Sequence, residues 1–217
     1  MKHVDFWFDP VSPFAYLAFE RLPQALAGLS VTVRYRPVLF AAMLKHWGQK
    51  GPAEIEPKRA WTFRHLAWQA QQMGVSMRLP DAHPFNPLPL LRLGWACADA
   101  LGTPNRRVVQ ALFNHVWGDG GDASDPGRLA ALHAKLAPAN DPASDAVKAC
   151  LRDATDAAIA AGVFGVPTLR LDGRLYWGLD ALPMVAAALR ADPWFASDAW
   201  DEAGRERPGV VRGDGSS

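Results

Sequence analysis

The chain has 217 residues, 49% apolar and 21% charged, which suits one globular domain or one domain with a large insertion. A core of that size needs neither disulfides nor metal, and the ordinary composition excludes a disordered or fibrous protein. The formal net charge of +1 removes the general electrostatic footprint of a nucleic-acid binder.

From His3 to Phe8 the chain is rich in aromatic and β-branched residues and stops at Asp9-Pro10, which reads as a buried strand entering a turn. Ser12 then suits an N-cap and Pro13 the first helical position, with Phe14, Leu17, Ala18 and Leu22 on one face. Pro23 is expected to kink or end this helix. Val31, Val33 and Tyr35 alternate with Thr32, Arg34 and Arg36 in a half-buried strand closed by Pro37. Strand, helix and strand with a crossover of about twenty residues make a βαβ unit.

Between Ala41 and Gly162 no convincing strand occurs. Helical spacing recurs over Trp61–Met73, Leu88–Leu101, Arg106–Trp117, Arg128–Leu136 and Ser144–Ala161, with Pro and Gly between them. Strand character returns at Thr168–Leu171, turns at Asp172-Gly173 and continues through Arg174–Trp177. A closing helix is expected from Asp180, as N-cap, to about Arg190. Beyond Ala196 the polar, Gly-rich sequence reads as a frayed tail, and its Arg212-Gly213-Asp214 tripeptide as chance.

The order β-α-β, helical block, β-β-α gives an α/β fold of thioredoxin-like type with a large all-helical insertion. The thioredoxin-like domain is discontinuous over residues 1–40 and 163–195, the insertion covers 41–162, and a flexible tail covers 196–217. A doubly wound sheet would need more βα units than the chain supplies.

In such a fold the reactive group sits where the first strand turns into the first helix, because the helix N-terminus favours an anion such as a thiolate. Where an oxidoreductase has Cys-x-x-Cys, this chain has Ser12-Pro13-Phe14-Ala15. Its two cysteines, Cys97 and Cys150, are far apart, with neither dithiol nor zinc-knuckle spacing. Ser12 as a plain helix cap is one reading. The functional one is that its hydroxyl donates to a thiolate carried by another molecule, for which glutathione is the obvious carrier. Before the third strand, Val166-Pro167 stands where thioredoxin-like folds place a cis-proline, which exposes the preceding peptide group to an extended partner.

The six histidines are scattered, and neither a Gly-rich phosphate loop nor a G-x-S-x-G elbow is present, so no metal or nucleotide cofactor is expected. No run reaches the roughly 18 apolar residues of a membrane span. Met1-Lys2-His3-Val4-Asp5 lacks the apolar core of an export signal, and with two lone cysteines a cytoplasmic location is expected.

Six segments fall in a specific order: Phe8-Asp9-Pro10-Val11-Ser12-Pro13-Phe14-Ala15-Tyr16-Leu17, Arg36-Pro37-Val38-Leu39, Lys58-Arg59, Phe85-Asn86-Pro87-Leu88-Pro89, Gly162 to Thr168, and Trp177-Gly178-Leu179-Asp180. In these the chain resembles the 2-hydroxychromene-2-carboxylate isomerases and kappa-class glutathione transferases of the DsbA-like thioredoxin superfamily. The resemblance runs from about Val4 to Arg190. It implies a glutathione-dependent isomerase of aromatic-compound catabolism, which interconverts 2-hydroxychromene-2-carboxylate and trans-o-hydroxybenzylidenepyruvate or a close analogue. The route would be reversible thiolate addition, bond rotation and elimination.

By position, the resemblance makes Ser12 catalytic. It gives glutathione contacts to Ser12, Pro13, Phe14, Gln49, Val166, Pro167, Trp177, Asp180 and Ala181, and substrate contacts to Lys45, Lys58, Arg59 and Asn86. Val166 would pair with the glutathione backbone, and Asp180 with the following helix start would hold its γ-glutamyl end. The implied partners are a small aromatic carboxylate and a second copy of the chain as homodimer, with no nucleic acid and no membrane.

The chain departs from the family at Gln49, where members commonly carry Asn, and at Leu179 and Ala181, where Asn and Arg often flank the aspartate. The family's Asn and Arg are absent there, while backbone N–H groups near Asp180 would keep an anion site. Arg34, Arg36, Lys45, His46, Lys50, Lys58, Arg59 and Arg64 form a basic stretch beside Trp47, Trp61 and Trp68. Part of it suits a flat anionic substrate. Lys50 reads as solvated, and Trp61 and Trp68, at i and i+7, read as core. Two rival functions are a kappa-type transferase, which releases its conjugate, and a non-catalytic thioredoxin-like peptide binder or chaperone.

Overall fold

The computed structural model describes residues 1–98, 102–207 and 209. Its single sheet contains β1 (Lys2–Phe8), β2 (Val31–Pro37), β3 (Thr168–Leu171) and β4 (Arg174–Trp177) in the order β2-β1-β3-β4. β1 runs parallel to β2 and antiparallel to β3, and β3 pairs antiparallel with β4. This is the thioredoxin-like arrangement expected from the element order.

Period-two alternation divides β1 between two cores. Val4, Phe6 and Phe8 are fully buried among Leu17, Phe19 and Leu22 of α1 (Pro13–Ala25). Trp7 turns to the opposite face, with Met43 of α2 (Phe40–His46) and Ala158 of α7 (Asp145–Ala160). Each such side chain contributes about 1.5–3 kcal/mol on burial, so β1 is anchored from both faces and its C-terminal end is a fixed platform. On the Trp7 face Asp5 is buried and ion-paired with Arg34 and Arg36 at 2.9 and 2.7 Å, and with Arg170 at 3.5 Å. Arg34 and Arg170 are its direct neighbours in the sheet register.

α1 does not stop at Pro23 but runs two residues further, to Ala25. A proline cannot donate to the carbonyl four residues back. That orphan, the Phe19 carbonyl, instead accepts from both terminal nitrogens of Arg106 at 3.3 Å, while the guanidinium lies 4.0 Å over the Phe19 ring.

Between β2 and β3 the described residues form no strand. Here lie α2, α3 (Glu56–Met73), α4 (Leu88–Ala96), α5 (Arg106–Phe113), α6 (Pro126–Leu136) and α7. α2 was not expected from the sequence, α3 starts earlier than its spacing suggested, and residues 99–101 of the expected fourth segment lie outside the described residues. α5 continues as a π-helical turn, Asn114–Gly118, which buries Trp117 completely.

After β4 a 3-10 turn, Leu179–Ala181, precedes α8 (Leu182–Leu189). Asp180 is therefore inside the turn and does not cap the helix, whose first turn is set by Pro183. The reading of everything beyond Ala196 as frayed is corrected for residues 199–203. After α9 (Pro193–Ala196), α10 (Ala199–Ala203) brings Trp200 to within 5.3 Å of Tyr176 and 5.8 Å of Phe195. Arg212-Gly213-Asp214 lies outside the described residues. Among those described, no helix is long and apolar enough to cross a membrane.

Candidate active site

Where β1 ends, its polypeptide turns sharply into α1. Ser12 caps the helix, its hydroxyl accepting from the Ala15 N–H at 3.2 Å. The same hydroxyl donates to the Val166 carbonyl at 3.2 Å, across 154 positions of sequence. Ser12 is only 7% exposed, and its oxygen lies at the positive end of α1, where no acidic side chain occupies the first turn.

The turn itself is held at several points. The buried carboxyl of Asp9 accepts from the Val11 N–H at 2.9 Å and from the Phe40 N–H, at the start of α2, at 3.0 Å. Its backbone carbonyl accepts from Ser12 N–H at 2.9 Å. Pro10 and Val11 carbonyls accept from the indole N–H of Trp117 and from Nε2 of His83, both at 2.8 Å. A carbonyl can only accept, so Nε2 carries the imidazole proton. His83 Nδ1 is then a buried acceptor with no partner among the described residues.

Burial pushes Asp9 up to about 7, although its bonds to the Val11 and Phe40 amides oppose the shift. Burial lowers the pKa of His83, its bond to Val11 opposes that shift, and Arg59 lowers it further. The imidazole is neutral at pH 7.

Facing Ser12, the Val166-Pro167 peptide bond is cis. The Pro167 carbonyl accepts from Gly178 N–H at 2.9 Å, and Thr168 Oγ1 donates to the Gly165 carbonyl at 2.7 Å, so this segment is fixed at both ends. A Cβ on Gly165 would stand 2.7 Å from Nε1 of Trp177, so the absent side chain is what lets that indole lie across the segment. Trp177 is 55% exposed and packs on Phe164 with ring centroids 5.0 Å apart.

Asp9, Ser12, His83, Gly165, Val166 and Trp177 border one cavity of about 590 Å³, inside the usual range of roughly 300–1,000 Å³ for small-molecule sites. Its floor includes Asp9, Ser12, Phe14 and Val166; its walls are mainly apolar, with Phe40, Leu44, Phe63 and Phe85. Lys50 and Arg59 bring positive charge to it, and Glu54 negative charge. Arg59 is oriented by its Nε–H bond to the Ala53 carbonyl at 2.6 Å.

Of the residues singled out in the sequence, Ser12, Pro13, Phe14, Gln49, Arg59, Val166 and Trp177 line this cavity. Lys45, Lys58, Asn86, Pro167, Asp180 and Ala181 do not. Lys45 and Lys58 are exposed on α2 and α3. Asn86 turns its carbonyl oxygen to the Leu88 N–H at 3.1 Å, while its neighbours Phe85 and Pro87 border the cavity. Pro167 sets the geometry of the Val166 peptide from behind.

Three readings are corrected. The Val166 carbonyl is not wholly open to a partner, since Ser12 already donates to it. Lys50 is exposed, as read from the sequence, and also borders the cavity. Arg34 and Arg36 leave the basic stretch to neutralise Asp5. Trp61 and Trp68 are neither core nor cavity wall: 66% and 58% exposed, they sandwich His65 on the outer face of α3.

Asp9, Glu54, Thr62 and His83 are polar cavity-lining residues that sequence reasoning passed over. The one signal for Asp9 was its position three residues before Ser12; an isolated histidine carries none.

A sheet of this order, with a helix start facing a cis-proline, defines a thioredoxin-type protein. The DSBA-like thioredoxin domain profile matches residues 3–190, and the chain belongs to that family. Within it, the chain is 31% identical over 194 residues to the 2-hydroxychromene-2-carboxylate isomerase of Pseudomonas putida, covering 86% of this chain and 93% of that one. It is 29% identical over 213 residues to glutathione S-transferase kappa 2 of Caenorhabditis elegans, covering 89% and 93%. A solved 2-hydroxychromene-2-carboxylate isomerase structure matches with a TM-score of 0.76 at 27% identity, over 91% of this chain and 98% of that one.

Proposed function

We propose that this protein is a glutathione-dependent isomerase acting on 2-hydroxychromene-2-carboxylate or a close aromatic analogue. The observation that carries the reading is the Ser12 hydroxyl at the α1 N-terminus, facing the cis Val166-Pro167 segment in an apolar cavity. The isomerase relatives, at about 30% identity over most of the chain, supply the reaction class.

The residues present fit a peptide thiol. A donor hydroxyl and a helix N-terminus suit a thiolate, and the neighbouring Val166 peptide suits an extended backbone. Bound glutathione supplies a thiolate that adds reversibly to a conjugated carbon of the substrate. Ser12 turns its hydroxyl from the Val166 carbonyl to the sulfur, and with the α1 dipole lowers the thiol pKa. Phe14, Gln49 and Trp177 border the peptide, while Lys50 and Arg59 attract the substrate carboxylate and Phe40, Phe63 and Phe85 enclose its ring. The homodimer, the aromatic catabolic role and the contact from Asp180 extend this reading. Asp180 stands only three residues beyond Trp177, so it would act from the cavity lip.

Ser12→Ala, followed by chromene-to-benzylidenepyruvate conversion with and without glutathione, tests the reading. The expected result is a fall of about a hundredfold or more in kcat with the wild-type rate dependent on glutathione. Full activity in the variant, or turnover by the wild type without glutathione, rejects it. Similarity to the kappa-class transferase supports a second reading, in which the conjugate is released. Steady conjugation of chlorodinitrobenzene faster than isomerisation would select that one.

A further inference from the structure

The Asp9 carboxyl is fully buried at the floor of the cavity, and no basic side chain pairs with it among the described residues. Its two oxygens are divided between the two chain segments that leave the paired ends of β1 and β2: the Val11 amide, one residue before Ser12, and the Phe40 amide, first of α2. α2 has no side-chain cap of its own, because Leu39 stands at its N-cap position. Asp9 therefore caps α2 from a distance while it shapes the entry to α1.

We propose that Asp9 is the positioning residue of this site: its carboxyl clasps the starts of α1 and α2 together, and its ionisation is coupled to that of a thiol seated at Ser12. The proposal rests on the glutathione reading above.

The coupling follows from charge and burial. Ionised Asp9 places a negative charge beneath the α1 N-terminus and opposes a thiolate there; a thiolate, in turn, opposes ionisation of Asp9. The other titratable or charged groups around the cavity are Lys50, Glu54 and Arg59 from the α2–α3 segment and the neutral His83. None of them contributes to the elevation of Asp9, which comes from burial and is opposed only by its two amide partners. Its proton is thus poised near neutrality, where a bound thiolate would meet it.

The test follows the Asp9 side-chain carbon by 13C NMR through a pH titration of the full chain: free, with glutathione, and with S-methylglutathione, which has no thiol proton. Coupling moves the Asp9 titration upward by about half a pH unit or more with glutathione but not with the S-methyl analogue. Identical Asp9 titrations with the two ligands, both bound, overturn the inference while leaving the glutathione reading intact. Absence of any resonance change with either ligand removes the glutathione reading, and the coupling with it. In parallel, Asp9→Asn removes the titrating group and presents an amide N–H₂ to one of the two backbone donors. The expected result is a kcat/KM profile that loses its inflection near neutral pH, together with a higher KM for glutathione. A profile that superimposes on the wild type overturns the proposal, and the titration of the wild-type protein decides it if the variant fails to fold.

Discussion

Gly165→Ala adds one methyl group where the structure leaves no space for it. The new Cβ would stand 2.7 Å from Trp177 Nε1 and 3.4 Å from two other indole atoms. The Gly165 backbone is held in place, because Thr168 Oγ1 donates to its carbonyl. The indole, more than half exposed, must rotate away and lose its packing on Phe164. Overpacking of this kind costs about 1–3 kcal/mol. Exposure of Trp177 directs that cost to the cavity lip and not to the global fold. Converted at about 1.4 kcal/mol per decade, it corresponds to a roughly 5- to 150-fold rise in the glutathione Kd. Quenching of tryptophan fluorescence by glutathione gives the affinity, and a thermal melt reports the fold. An unchanged Kd in a folded variant would refute the reasoning, since Trp177 would then have no part in the ligand's place. A large loss of melting temperature would equally contradict the assignment of the strain to an exposed lip.

Trp117→Phe removes the donor to the Pro10 carbonyl in a fully buried position and leaves a small void; the expected loss of about 2–4 kcal/mol lowers the melting temperature by roughly 5–15 °C. Asp9 holds its proton to about pH 7 in the folded state against 3.8 ordinarily, so folded chains bind the extra proton between those values. Its contribution to stability is fully present below pH 3.8 and is lost as pH rises to about 7, a change of about 4 kcal/mol. Asn does not titrate, so in urea melts the disadvantage of Asp9→Asn should shrink by that order from acid to neutral pH. A constant difference would deny the raised carboxyl. Trp61→Ala and Trp68→Ala touch only the exposed stack on α3, and steady-state kinetics should find kcat and KM within about twofold of wild type.

Legibility of the fold in the sequence varied with the range of the interaction responsible. Both hairpin strands and the Ser12 cap were readable, because alternation, Asp172-Gly173 and Ser12-Pro13 act within a few residues. How α1 continues past Pro23 was not legible, because the group that takes up the freed Phe19 carbonyl, Arg106, lies 83 positions away in sequence and is recognisable only in three dimensions. The cap for α2 was invisible for the same reason: it comes from Asp9, not from the adjacent Leu39. In the site, polar landmarks on the β1–α1 turn and before β3 were legible. The apolar walls were not, since Phe40, Phe63 and Phe85 carry the same signature as core. Basic residues were the hardest to sort: Lys58 and Arg59 are adjacent on α3, yet of the two Arg59 alone borders the cavity, and local sequence does not fix the helix's rotation.

The cavity border is assembled from two kinds of chain segment with different obligations. Residues 9–14 and 164–166 are tied to the sheet through β1 and β3, so altering them disturbs the scaffold. Leu44, Thr62, Phe63 and Phe85 border the same space but are only partly covered and lie outside the fully buried set. Being partly covered, such positions cost less to replace than the fully buried ones beneath them. The mould on that side can therefore be recut while the anvil at the Ser12 end stays unchanged.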